Sequence, residues 1–108
     1  MQRITSEREI AEAIEENAEV LVDFGASWCG PCGDLHKMLK KLERDFKNIA
    51  ILTVDIDEAS ELATAFKVDA VPTYLMYIKG KKVLRNEGAP YSYGSLKGIL
   101  AKARKKAE

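Results

Sequence analysis

Two kinds of apolar pattern alternate along the chain: short continuous runs, and stretches in which apolar residues recur every three or four positions. Val20-Leu21-Val22-Asp23-Phe24 and the stretch from Ile49 to Val54 are the continuous runs. Runs this short and without alternation predict strands covered on both faces, as in the middle of an α/β sheet. Between them Leu35, Met38, Leu39, Leu42 and Phe46 step by threes and fours, predicting a helix that lies flat on a core. Pro31 falls in its first turn, where a missing N–H does no harm, and Asn48 marks its end. Asp23, inside the first run, is the one residue that breaks the apolar rule.

Upstream, Ser6 with Glu9 three residues later predicts a capping box. It opens a helix to about Asn17, with Ile10, Ala11, Ala13 and Ile14 on the buried face. Downstream, Asp55-Ile56-Asp57 closes the second strand, and Asp57 suits the cap of a third helix over about 59–66 that buries Leu62, Ala63 and Phe66. Val68 to Val71 leads into Pro72, a residue unusual before a strand unless it serves a turn. Thr73 to Ile78 reads as a strand, Lys79-Gly80-Lys81 as a turn, and Lys82 to Glu87 as the returning partner. Gly88-Ala89-Pro90 ends the sheet, and Ser92 or Ser95 caps a last helix through Leu96, Ile99, Leu100 and Ala103. The order helix, strand, helix, strand, helix, strand, strand, helix predicts a βαβ unit followed by an antiparallel hairpin and a closing helix. That makes an α/β fold with a mixed sheet covered on both faces. With no repeat, low-complexity stretch or linker, residues 1–108 read as a single domain.

Composition narrows the function classes. An apolar fraction of 46% suffices for a core without staples. Lys plus Arg equals Asp plus Glu at 17 each, so no net field draws the chain to nucleic acid or an anionic membrane. No apolar signal region follows Met1 and no stretch reaches the length of a membrane span, which sets a cytoplasmic location as the expectation.

The chemistry concentrates at Trp28-Cys29-Gly30-Pro31-Cys32, where a strand meets a helix. Two thiols at this spacing can close a disulfide across one helical turn and reopen it, exchanging two electrons without large backbone movement. In a reducing compartment such a pair points to catalysis or metal binding rather than to a structural staple. Cys29, Cys32 and His36 do follow a C-x2-C-x3-H spacing, but a fourth ligand and a second cysteine pair are missing, so no metal is expected. Asp23 lies six residues before Cys29. Burial would raise its pKa, and the residues alone leave two roles open: a proton carrier, or a hydrogen-bonded structural carboxylate at a strand end.

In order and spacing, Val22-Asp23-Phe24, Trp28-Cys29-Gly30-Pro31-Cys32, Val71-Pro72-Thr73 and Gly88-Ala89 after the hairpin resemble the thioredoxin family over nearly the whole chain. The resemblance implies the thioredoxin fold, a central mixed sheet of four or five strands flanked by four helices. It implies a thiol–disulfide oxidoreductase that reduces protein disulfides. Cys29 would be the nucleophile, its thiolate favoured by the N–H groups of the first helical turn. Cys32 would resolve the mixed disulfide, and Asp23 would take and return the Cys32 proton. The Val71–Pro72 bond would be cis, with the Val71 backbone free to pair with an extended client. Gly30, Val71, Pro72, Gly88 and Ala89 would form a flat docking patch, Pro31 would stiffen a spacer tied to a strongly reducing couple, and Trp28 would be a packing lid.

The family also implies that no cofactor is bound. Electrons would arrive through a thioredoxin reductase, from NADPH or ferredoxin, and leave to disulfide-bearing client proteins, with the chain a monomer. Two rival readings are a disulfide oxidant or isomerase and a non-catalytic binding module. The Gly-Pro spacer and the absent signal region count against the first, the intact cysteine pair against the second. Some positions depart from the family pattern. Gly25 stands where many members carry a second tryptophan, Gly33 where lysine is common, and Lys37 where proline often bends the helix. Thr53 stands where some members bury a lysine, and Pro90-Tyr91-Ser92-Tyr93 is about one residue longer than usual. Looser packing beside the site, a straighter helix and a reshaped rim are the expectations. His36 reads as a solvated helix position, the basic run Lys102 to Lys106 as a helix end that suits the dipole, and the tyrosines as sheet and rim residues.

Overall fold

The computed structural model describes residues 1–108. Its elements are β1 (Gln2–Arg3), α1 (Glu7–Glu16), β2 (Glu19–Gly25), α2 (Gly30–Asp45), β3 (Ile49–Asp55), α3 (Ser60–Ala65), β4 (Thr73–Ile78), β5 (Lys81–Glu87) and α4 (Tyr93–Lys106). The strands form one sheet in the order β1-β3-β2-β4-β5. β1, β3 and β2 run parallel, and β4 is antiparallel to β2 and to β5. This is the thioredoxin-fold sheet with four helices.

Strand periodicity divides the core in two. Val20, Val22 and Phe24 face α1 and α3, joined by Ile10, Leu52, Val54, Leu62 and Leu75. Leu21, on the other face, packs with Leu35, Leu39 and Leu42 of α2 and Leu96 and Leu100 of α4. Because successive strand residues point to opposite faces, Asp23 shares the face of Leu21 and looks toward α2. That alternation alone brings the buried carboxyl to the cysteine helix.

Local chemistry explains the ends of the elements. Both halves of the capping box are present at α1: the Ser6 hydroxyl accepts from Glu9 N–H, and the Glu9 carboxylate accepts from Ser6 N–H. Ser92, not Ser95, is the cap of α4, accepting from Ser95 N–H at 3.1 Å. Lys79 (φ 50°) and Gly80 (φ 82°) both lie in the left-handed region, which two-residue hairpin turns matched to strand twist require. Tyr93 donates to Asp45 at 2.7 Å, fastening the start of α4 to the end of α2. Arg104 and Glu19 tie the far end of α4 to β2.

Several expectations are corrected. β1 was not foreseen; it pairs with β3 through Gln2–Leu52 and Arg3–Thr53 and completes the five strands. Ala11 is exposed, since α1 turns only the side of Ile10, Ala13 and Ile14 inward. Phe46 lies one residue past the end of α2 and is 42% exposed, because the chain leaves the helix before its stripe brings Phe46 round to the core. α3 starts after Ala59 with no side-chain cap. Asp57 is drawn elsewhere, and Asp55 closes this turn instead, its Oδ1 accepting from Asp57 and Glu58 N–H. α2 runs unbroken over its sixteen residues, in keeping with Lys37 in place of a helix-bending proline.

Candidate redox site

Cys29 is the N-cap of α2, and Cys32 lies one turn inside it. The two are joined by a disulfide with a Cα–Cα distance of 5.3 Å, within the range such bridges need. Cys29 is half-buried, whereas Cys32 is buried at 7% exposure. Cys29 Sγ accepts the Cys32 backbone N–H at 3.2 Å. It therefore sits on one of the otherwise unpaired donors of the helix start, where the dipole favours negative charge. Gly30 and Pro31 occupy the first two helical positions and are exposed, so the spacer faces solvent and Pro31 forfeits no helical bond.

Opposite the disulfide, the Val71–Pro72 peptide bond is cis. The Val71 carbonyl oxygen lies 3.7 Å from Cys29 Sγ; the closed disulfide has no proton to donate, so this is packing rather than a hydrogen bond. Thr73 Oγ1 donates to Ala70 O at 2.6 Å and holds this loop in shape. Gly88, at φ +87°, donates its N–H to Pro72 O at 2.8 Å, which sets Gly88 and Ala89 beside the same loop. The Val71 carbonyl is thus set against Cys29, with Gly88 bonded to the neighbouring Pro72.

Trp28 differs from expectation. It is 67% exposed rather than packed as a lid, and its indole Nε1–H donates to Asp57 Oδ2 at 2.8 Å. This bond is what takes Asp57 away from α3. Tyr91, on the lengthened rim segment, is 97% exposed.

Behind the disulfide a cleft of about 300 Å³ reaches Asp23, walled by Gly25, Cys29, Cys32, His36, Thr53, Arg3 and Asp55. Asp23 is 5% exposed, and its Oδ1 is buried with no hydrogen-bond partner in the chain. Burial pushes its pKa up to about 7, because desolvation penalises the ionised form and no cation or donor offsets it. Thr53, opposite Asp23 in the β2–β3 register, brings no charge. Gly25 lies beside the buried sulfur: a Cβ there would sit 3.4 Å from Cys32 Cβ and Sγ. Gly25 itself lines the cleft, so this wall is open where a larger side chain would stand.

Sequence reasoning did not place Arg3, His36 or Asp57 at the site. Arg3 lines the cleft and donates to Glu58 at 2.9 Å. A charged residue beside an apolar one at the chain start carried no signal for this, since the contact spans 55 residues.

Comparison with known proteins agrees with this geometry. The family model described as Thioredoxin matches residues 2–102. The chain is 33% identical over 81 residues to thioredoxin of Mycoplasmoides gallisepticum, covering 75% of this chain and 81% of that one. It is 36% identical over 88 residues to thioredoxin of Chlamydia trachomatis, covering 82% and 85%. Among solved structures, oxidised mitochondrial thioredoxin 3 of Saccharomyces cerevisiae superposes with a TM-score of 0.81 at 29% identity, over 94% of each chain.

Proposed function

The chain belongs to the thioredoxin family and is a dithiol–disulfide oxidoreductase; from that premise we propose that it works as a protein-disulfide reductase, with Cys29 attacking and Cys32 resolving. The carrying observation is the asymmetry of the pair: Cys29 is half-buried at the helix start beside the Val71 carbonyl, and Cys32 is buried one turn in. Reduced Cys29, as thiolate, attacks one sulfur of a client disulfide, and the first client thiolate leaves. Cys32 gives its proton to Asp23 and attacks Cys29 Sγ. The second client thiolate departs, the client has gained two electrons, and the Cys29–Cys32 bond has formed. A carboxyl with a pKa of about 7 suits that exchange near neutrality.

Trp28, Gly30, Pro31, Val71, Pro72, Gly88 and Ala89 shape the docking surface, and an extended client pairs with the Val71 backbone. The dithiol is itself the redox centre, with no bound cofactor. A thioredoxin reductase restores it, drawing on NADPH or ferredoxin, and client proteins bearing disulfides consume its electrons. The chain carries electrons as a cytoplasmic monomer; Lys81, Lys82 and Arg85 on the edge strand β5 support the monomer, because charged edges resist strand pairing. No helix is long and apolar enough to cross a membrane.

The test is trapping. Reduced Cys32→Ser protein mixed with a disulfide-bonded client should accumulate a mixed disulfide through Cys29, and Cys29→Ser protein should accumulate none. Trapping by Cys29→Ser, or by neither variant, overturns the assignment.

A further inference from the structure

We propose that His36 accepts the proton that Asp23 releases and passes it to solvent through the cleft behind the disulfide. This rests on the reading that Asp23 is the base for Cys32. After the resolving step Asp23 is a neutral acid, buried behind a closed disulfide, and any exchange of its proton with solvent has to pass through the cleft. Its Oδ1 has no partner in the chain, and the cleft that it lines also holds His36. His36 follows Cys32 by four residues on α2 and so stands over the same side of the helix.

The other charged groups facing the cleft cannot do this work. Arg3, from β1, is held more firmly protonated by Glu58 and Asp55. Asp55, from β3, has one oxygen taken by two backbone N–H groups and the other turned to Arg3. On α2 itself, Lys40 stands four residues beyond His36 and is outside the cleft wall, as are Asp34 and Lys37 beside it. Imidazole ordinarily takes up and gives back a proton near neutrality. A cleft of about 300 Å³ that Asp23, His36 and Thr53 line also has room for the waters that would bridge carboxyl and ring. The proton thus moves from Asp23 Oδ1 to His36 and then to bulk, with no change in the electron count. On reduction of the disulfide the path runs backward and recharges Cys32. The open wall at Gly25 and the uncharged Thr53 give this chain a route that a large side chain at either place would obstruct.

The experiment follows repeated turnovers of the protein with excess client disulfide and a small dithiol reductant that re-reduces Cys29–Cys32, the uncatalysed rate being subtracted, near neutral pH in a dilute buffer without amines, comparing His36→Gln, Asp23→Asn and the double variant. His36→Gln should slow turnover by about tenfold, less than a directly acting acid–base group contributes. Free imidazole, small enough for the cleft, should restore its rate without affecting the unmodified protein. Asp23→Asn should be slow and insensitive to imidazole, and the double variant no slower. An unchanged rate in Asp23→Asn would overturn the Asp23 reading itself. A slow Asp23→Asn with a normal His36→Gln would overturn only the role of His36. A slow His36→Gln that imidazole does not rescue would assign His36 a purely structural effect and overturn the proton transfer.

Discussion

Replacing Asp23 by Asn should stabilise the disulfide form, by an amount that grows with pH. Burial raises this carboxyl from 3.8 to about 7. Below the unfolded pKa both states hold the proton and burial carries no ionisation penalty. As pH rises from there, the unfolded chain ionises first and the folded chain does not, so stability falls. Above about 7 both states are ionised and the loss levels off, at about 4 kcal/mol for a shift of this size. Asn has no such slope. Its amide introduces a buried donor without a partner, costing about 1–3 kcal/mol, but that cost does not vary with pH and cancels between conditions. Urea unfolding of the oxidised proteins, followed by circular dichroism and extrapolated linearly, should show the Asn-minus-Asp difference widening by about 2–3 kcal/mol between about pH 5 and about pH 8. A constant difference would refute the reasoning: Asp23 would then be solvated through the cleft well enough to ionise at its ordinary value.

Two other perturbations follow from single contacts. Asp57→Ala should free the Trp28 indole; because Trp28 is the only tryptophan, its emission should shift and its anisotropy fall, while stability changes by less than about 1 kcal/mol for an exposed contact. Ser6→Ala removes half of the capping box on α1 and should lower stability by about 1 kcal/mol with no change in disulfide exchange, read from urea midpoints and client turnover.

What could be read from the chain alone was local. The continuous run before Gly25, the three-and-four stripe of α2, the Ser6/Glu9 box and the Lys79-Gly80 turn each record a backbone preference within a few residues, and each element formed there. The cysteine pair was legible for the same reason, since one helical turn sets its spacing wherever the helix lies. Asp23 was legible as an anomaly, but not as a group titrating near neutrality; that required α2 and β3 to close over it. Relations between distant residues were decided by tertiary structure. β1 has two residues, too few to carry a period, and exists because β3 offers an open edge. Asp57 had a plausible local partner at α3 and a better one in Trp28, twenty-nine residues away. The cleft belongs to no single segment: β1, β2, α2 and β3 each contribute a wall. Periodicity and capping act over a few residues and leave marks in sequence. Desolvation, hydrogen bonds across the fold and empty volume depend on distances that only the folded chain defines.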